Sequence, residues 1–149
     1  MRNISITVAL IIVLGGCAQP AKHKSALIGV WKSNAEKTLQ SVRSVDGVTE
    51  KAKRLFENDF FGHLIVEYRE KEARSYFDQD ADNIEGMKEF YPYRLIEENE
   101  ELFIVKEHDK LEDGEREVVM RREGDCYYVL FSKWNLREYF CHIDNSIEQ

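Results

Sequence analysis

The chain contains a succession of short alternating segments, and this pattern restricts its fold more than any other feature. Within 63–70, for example, Val66 and Tyr68 share one face, and turn formers such as Asp113-Gly114 separate such runs. Short strands with turn signals between them predict an all-β sandwich or barrel of about eight strands. We predict strands at 27–32, 63–70, 73–77, 90–97, 102–108, 116–122, 125–132 and 136–143.

Two short amphipathic helices are expected to interrupt the β pattern after the first strand. Ser33 and Glu36 have the spacing of a capping box, and apolar residues then recur at helical intervals. The Asp-Gly pair at 46–47 breaks this run, and Thr49 is placed to cap a second helix. The sequence therefore predicts a helix-turn-helix over 34–58.

The first sixteen residues have the composition of an export signal. Arg2 gives a basic start, an apolar run follows over 4–14, and two glycines precede Cys17. A basic segment, an apolar segment of about 7–15 residues and a small-residue cleavage site define a secretory signal. Because a membrane-spanning helix needs about 20 residues, the run is too short to be one. We predict a signal peptide at 1–16.

The residues around the expected cleavage site resemble the lipobox of bacterial lipoproteins. The match is Leu14-Gly15-Gly16-Cys17. This resemblance implies a lipidated Cys17, cleavage before it and acylation of the new amino terminus, and several acyl chains together anchor a protein stably. The residue after the cysteine is Ala18 and not aspartate. By the same resemblance, this implies a location at the outer membrane, with the domain facing the periplasm. The alternative is an ordinary cleaved signal followed by a chance cysteine.

The rest of the chain has the size and charge of one acidic domain. Residues 1–16 carry a single charged side chain, so the other 133 residues have a formal net charge of −8, against −7 for the whole chain. We predict a lipidated cysteine and flexible tether at 17–25 and one domain at 26–149. An acidic domain is a poor candidate for nucleic-acid binding, which requires a basic face.

Two cysteines remain after Cys17 is assigned to the lipid. Cys126 and Cys141 form an even pair in an exported domain, which predicts a disulfide. The last two predicted strands fold back around 133–135 and bring the pair nearly opposite. The alternatives are a free buried pair or a metal site, but the sequence lacks the ligand spacing of a zinc site.

The order of elements resembles that of the fatty-acid-binding proteins and the wider lipocalin group. The match consists of Gly29-Val30-Trp31-Lys32, the helical pair at 34–58, the antiparallel meander after it, and Arg137-Glu138-Tyr139 in the last strand. This resemblance implies a calycin-like antiparallel β-barrel with a helical lid. It also implies that Arg137 and Tyr139 bind a ligand carboxylate inside the barrel, with Trp31 at its base. A guanidinium can hold a carboxylate through two parallel hydrogen bonds.

The same three residues also fit purely structural roles. Trp31 is typical of a bulky core residue, and Arg137 and Tyr139 can lie on an outward strand face. The segment 137–141 is similar to the end of uncharacterised bacterial lipoproteins, which implies a relationship without a known function. About eight strands are also fewer than the ten typical of the intracellular fatty-acid-binding proteins. Because barrel width grows with strand number, a smaller cavity is expected.

An acidic segment has the ligand spacing of a calcium-binding loop. Asp78, Asp80, Asp82 and Glu89 occupy positions one, three, five and twelve, and carboxylate oxygens suit a hard cation. Position six is Asn83 where glycine is preferred, and the flanks are predicted strands in place of two helices. The alternative is a solvated acidic loop, and we expect no resident cofactor.

The sequence contains no recognisable catalytic arrangement. The four histidines are scattered, and neither a Gly-x-Ser-x-Gly elbow nor a glycine-rich phosphate loop is present. We therefore expect a binding protein and not an enzyme. One hypothesis is a carrier for a small hydrophobic or amphipathic ligand. The other is a module that binds or inhibits an envelope or external protein, by analogy with small lysozyme-inhibiting lipoproteins. A cavity in the barrel favours the first, and a packed interior favours the second.

Overall fold

Eight antiparallel strands form a closed barrel. The computed structural model describes residues 24–79, 82–109 and 114–143. Each strand pairs with the next along the chain, and the last pairs with the first. The predicted mainly β fold, with two helices after the first strand, is confirmed. The elements are β1 Gly29–Ser33, α1 Ala35–Ser44, α2 Glu50–Glu57, β2 Leu64–Tyr68, β3 Glu72–Phe77, β4 Tyr91–Glu98, β5 Leu102–Asp109, β6 Gly114–Glu123, β7 Cys126–Phe131 and β8 Leu136–His142.

One end of the barrel is filled with large apolar side chains. Trp31, Phe103, Tyr127 and Phe140 are buried there in a single cluster. The rings of Trp31 and Tyr127 lie 4.9 Å apart, and the Trp31 indole N–H donates a hydrogen bond of 2.8 Å to the carbonyl of Leu27. Trp31 is therefore part of the core at this end of the barrel. The buried Leu27 covers the same end.

The two helices lie at the opposite end, and α1 lies along a stretch of β8 that has no β1 partner. β1 ends at Ser33, before it reaches the first residues of β8. The hydroxyls of Thr38 and Ser41 accept the backbone N–H groups of Tyr139 and Arg137 at 3.0 and 2.8 Å. Because buried N–H groups need acceptors, α1 completes the hydrogen bonding of this strand.

The start of α1 differs from the prediction by one residue. Asn34 is the cap, and its side-chain oxygen accepts a first-turn N–H at 2.9 Å. Ser33 points into the barrel, where its hydroxyl donates to Glu138 at 3.2 Å. Serine and asparagine are both good helix caps, so the local sequence does not distinguish them. The inward orientation of Ser33 in the closed barrel leaves the capping position to Asn34. Thr49 caps α2 as predicted.

The predicted disulfide between the last two strands is confirmed. Cys126 and Cys141 are bonded and lie directly opposite each other, with 4.0 Å between their Cα atoms. The neighbouring Tyr127 and Phe140 point into the core, so the disulfide lies on the outer face of the wall.

The wall is incomplete between β3 and β4. These strands pair at two positions, around Ala73 and Tyr91, whereas β3 continues to Phe77. The side-chain amide of Asn83 bridges this free edge: its oxygen accepts the Phe77 N–H and its nitrogen donates to the Phe77 carbonyl, both at 2.8 Å. Segment 82–90 is thereby held over the gap.

Candidate functional site

A chamber of about 400 Å³ lies behind segment 82–90, at the gap between β3 and β4. Small-molecule sites have volumes of roughly 300–1,000 Å³, so the chamber has room for a small ligand. The alternation of strand direction places it at the end of the barrel that carries the helices, away from the Trp31 cluster. Its lining includes Ser75, Ile84, Glu85, Met87, Glu89, Tyr91, Glu107, His108 and Arg116.

An ion pair forms the polar centre of the chamber. Glu107 is 6% exposed, and its carboxylate oxygen Oε1 receives hydrogen bonds from Arg116 Nε at 2.8 Å and Nη2 at 2.6 Å. The Arg116 side chain is 56% exposed, so the pair extends from the interior to the mouth. A buried carboxylate is costly without a partner, and Arg116 provides that partner for Glu107.

Tyrosine hydroxyls continue the polar network towards the core. Burial raises the pKa of Tyr68, Tyr91 and Tyr127 well above the usual value, and the Glu107 carboxylate adds to this effect. The Tyr91 hydroxyl is hydrogen-bonded with Ser75 and Glu107. These phenols therefore stay neutral, and they can donate or accept hydrogen bonds with a ligand.

A second interior carboxylate lies in β8. Burial raises the pKa of Glu138 to about 7, and the hydrogen bond from Ser33 opposes this shift only in part. The Ser33 oxygen also accepts the backbone N–H of Gly62 at 3.2 Å. Glu138 is thus linked to the segment between α2 and β2.

The chamber carries more acidic than basic groups. Glu85, Glu89 and Glu107 line it, against one guanidinium, that of Arg116, and one imidazole, that of His108. Arg116 already pairs with Glu107. The local field therefore favours a neutral or cationic ligand over a carboxylate.

The ligand-binding residues proposed from the sequence do not lie in this chamber. Arg137 and Tyr139 are on the outer face of β8, because Phe140 packs in the core and strand residues alternate. Their orientation is that of the structural alternative, an outward strand face, and not that of a ligand anchor inside the barrel. Both residues line a separate groove between α1 and the wall, whereas Trp31 is in the core at the far end.

Sequence reasoning missed the two groups at the centre of the chamber. In β5, Phe103, Val105 and Glu107 share the inward face. The alternation of the strand therefore indicated that Glu107 points inward. In β6 the same alternation places Arg116 on the face of the buried Met120, but its role also depends on the register that places it opposite Glu107.

The predicted calcium ligands are only partly within the described residues. The carboxylate of Asp78 contacts the Lys32 ammonium at 2.7 Å and His63 Nδ1 at 3.0 Å. Asp80 lies outside the described residues. Among the residues described, no group of three or more His, Cys, Asp or Glu side chains is arranged to hold a metal ion. The calcium loop stays a prediction that rests on spacing alone.

The expected signal peptide and Cys17 also fall outside the described residues. In the part of the chain that is described, neither helix has the length and apolar character needed to cross a bilayer. The chain matches no protein-family model, no curated protein and no solved structure. An eight-stranded barrel has room for side chains or one small ligand, and the geometry of the chamber is therefore the basis for a functional proposal.

Proposed function

We propose that this chain is a lipid-anchored protein of the bacterial envelope that binds a small neutral or cationic amphipathic ligand between β3 and β4. The observation that carries the proposal is the chamber of about 400 Å³ beside the Glu107–Arg116 pair. The anchor rests on the lipobox-like Leu14-Gly15-Gly16-Cys17, and Ala18 after the cysteine favours the outer membrane and the periplasm.

The chamber offers separate surfaces to the two parts of an amphipathic molecule. Ile84 is 76% exposed at its mouth, and Met87 lies beside it in the same segment. Covering a side chain of this size contributes roughly 1.5–3 kcal/mol. The polar part of the ligand contacts the Tyr91 hydroxyl and the Glu107–Arg116 pair, because these groups face the chamber.

We propose binding and not catalysis as the activity of this site. Both hydrogen bonds from Arg116 already go to Glu107, and burial raises the pKa of the Tyr91 hydroxyl far above neutral pH. Proton transfer is most efficient when the pKa of the catalytic group lies near the working pH. These groups therefore suit hydrogen bonding to a bound molecule better than acid–base chemistry.

The proposal is tested with two fluorescent probes of similar skeleton. N-phenyl-1-naphthylamine is neutral, and 8-anilino-1-naphthalenesulfonate is anionic. We expect saturable fluorescence enhancement with the neutral probe and at least about tenfold weaker binding of the anionic one, a difference of about 1.4 kcal/mol. Equal binding of both probes, or no saturable signal, would contradict the proposed ligand class.

A matched pair of variants locates the binding site. Ile84→Asp places a carboxylate at the mouth of the chamber and is expected to weaken binding of the neutral probe about tenfold. Ile96→Asp makes the same change on β4, where Ile96 is 51% exposed and does not line the chamber, and is expected to leave the affinity unchanged. Equal effects of the two substitutions would place the probe elsewhere.

A further inference from the structure

A second concave surface lies on the outer wall of the barrel. This outer groove, of about 520 Å³, runs between α1 and strands β6, β7 and β8. The rings of Tyr128 and Tyr139 lie 5.3 Å apart on the strand side, and Ser41 belongs to the helix side. The outer groove shares no lining residue with the chamber, so it is a separate surface.

The charge of the outer groove is opposite to that of the chain. Lys37, Arg121 and Arg137 line it, against one carboxylate, that of Glu123. The chain as a whole has a formal net charge of −7. Glu123 accepts the Tyr139 hydroxyl at 3.1 Å and lies 3.9 Å from the Lys37 ammonium. Neither arginine has an ion-pair partner among the described residues. The groove therefore attracts anions on a molecule that otherwise repels them.

The Arg137 guanidinium is held in place before any ligand arrives. It lies over the Tyr128 ring, 4.7 Å from the ring centre, and the neighbouring Tyr139 side chain raises its pKa above the usual value. The backbone of the same residue is fixed by Ser41. A guanidinium that is already ordered loses less conformational entropy when it binds a carboxylate.

The composition of the outer groove is typical of a surface that recognises protein. It is lined by two tyrosines, two arginines, two serines and an asparagine; Tyr139 is buried at its base, at 6% exposure, and the apolar Leu130 is 50% exposed. Tyrosine and arginine are enriched in protein interfaces, and serine and asparagine supply adaptable hydrogen bonds there. Pockets for small molecules are mostly apolar, whereas the lining of this groove is mainly polar.

We infer that the outer groove binds a carboxylate-rich peptide segment of a partner protein. Arg137 and Arg121 each present the planar donor pair that matches a carboxylate. Tyr128 and Leu130 provide contact area between them and the helix. This inference does not depend on the ligand of the chamber, since the two surfaces have different linings and opposite charge.

The test is an NMR titration of the ¹⁵N-labelled protein with acetylated, amidated tetraglutamate. We expect the Nε–Hε signals of Arg121 and Arg137 and the amide signals of Ser41 and Asn135 to shift together and to saturate. Raising the salt concentration weakens the binding, because the contacts are charge-assisted. Tetraglutamine of the same length has no carboxylates and is expected to give no such shifts.

Variants separate specific binding from general attraction. The double variant Arg121→Gln/Arg137→Gln is expected to lose at least about tenfold in affinity. Arg94→Gln, at a 65% exposed arginine on β4, is expected to bind as the parent protein does. Glu123→Gln removes the one carboxylate of the groove and is expected to strengthen binding several-fold, a gain that misfolding cannot produce.

Three outcomes would overturn the inference. One is an equal loss of affinity in Arg94→Gln and in the double variant. Another is shifts spread over all surface arginines. The third is the same saturable shifts with sodium acetate at equal carboxylate concentration, which would make the groove a simple anion site.

Discussion

The two interior carboxylates of the barrel have different surroundings. Glu107 receives two hydrogen bonds from Arg116, whereas Glu138 accepts a hydrogen bond from the neutral hydroxyl of Ser33. Burial disfavours a charged carboxylate that has no cation beside it. Glu138 therefore has a pKa of about 7, and its charge state changes near neutral pH.

We predict that Glu138 makes the protein less stable as the pH rises. Its pKa in the folded protein is about 7, above the ordinary value of 4.5, so the folded state holds the proton more tightly. The stability that this gives is complete below pH 4.5 and is lost as the pH rises through 7. Glu138→Gln should remove this loss, on the order of 2–3 kcal/mol, in urea unfolding between pH 4.5 and 8.

The control for this prediction is Glu117→Gln, at an exposed position on the outer face of β6. The difference in unfolding free energy between Glu138→Gln and the parent protein should grow with pH, and the Glu117→Gln difference should stay flat. A flat difference for both variants would mean that Glu138 titrates normally in the folded protein.

Single residues were predicted well where a local rule decides and poorly where pairing across the barrel decides. Thr49 was identified as a cap because its neighbours determine this role. Ser33 was assigned wrongly as a cap, and two orientations of Arg137 were left open, since both depend on where β1 and β8 end relative to each other. The inward face of a strand follows from its register, which short motifs do not contain.

At the scale of elements, α1 replaces a strand as the hydrogen-bonding partner of β8. Thr38 is fully buried, and its hydroxyl accepts the Tyr139 N–H. This contact joins the helical end of the barrel to the strand whose outer face forms the outer groove. The helix is thus a part of the wall as well as a cover.

We predict that Thr38→Val weakens the contact between α1 and β8 without changing the size of the side chain. The Tyr139 N–H loses its acceptor in a buried place, which costs about 1–3 kcal/mol of unfolding free energy. Hydrogen exchange at the Tyr139 amide should accelerate accordingly. Ser44→Ala removes an exposed hydroxyl that donates to the Ser41 carbonyl, and it should change neither measurement. Unchanged exchange in Thr38→Val would show that the helix does not protect β8.

The disulfide gives a prediction for the last hairpin. Cys126 and Cys141 are 15 positions apart in the sequence. By the chain-entropy model, Cys126→Ser/Cys141→Ser should lower the unfolding free energy by about 3 kcal/mol in urea. A reductant should lower the urea midpoint of the parent protein and leave that of the double variant unchanged. A parent midpoint that ignores the reductant would contradict this prediction.

The order and type of the elements followed from periodicity, but the gap in the wall did not. Alternation and turn residues predicted all eight strands and both helices to within a few residues. The side-chain bridge from Asn83 to Phe77 and the short pairing of β3 with β4 create the chamber. Neither has a periodic signal, because each depends on contacts between segments that the local pattern does not specify.

The whole molecule presents two surfaces of opposite charge. The charged groups of the chamber, which opens at the helical end, are mainly carboxylates, whereas those of the outer groove on the side wall are mainly cations. A protein with these two surfaces can hold a small ligand and a partner protein at once, since the two sites do not overlap. A variant in one site should therefore leave the other unaffected.

The proposed anchor is tested by cell fractionation. Cys17→Ala removes the acylated thiol, so the protein should leave the membrane fraction and stop incorporating labelled palmitate. Cys141→Ser is the matched control, because it removes a cysteine without affecting lipidation, and it should stay with the membranes. Continued palmitate labelling of Cys17→Ala would contradict the lipobox assignment.

The most direct test of the central claim is native mass spectrometry of the protein purified from a bacterial envelope, followed by denaturation to release any bound compound. We predict a bound small molecule, neutral or cationic, that is present in the parent protein and in Ile96→Asp and is depleted in Ile84→Asp. A protein that carries no compound under native conditions, or one equally loaded in all three forms, would contradict a ligand site in the chamber.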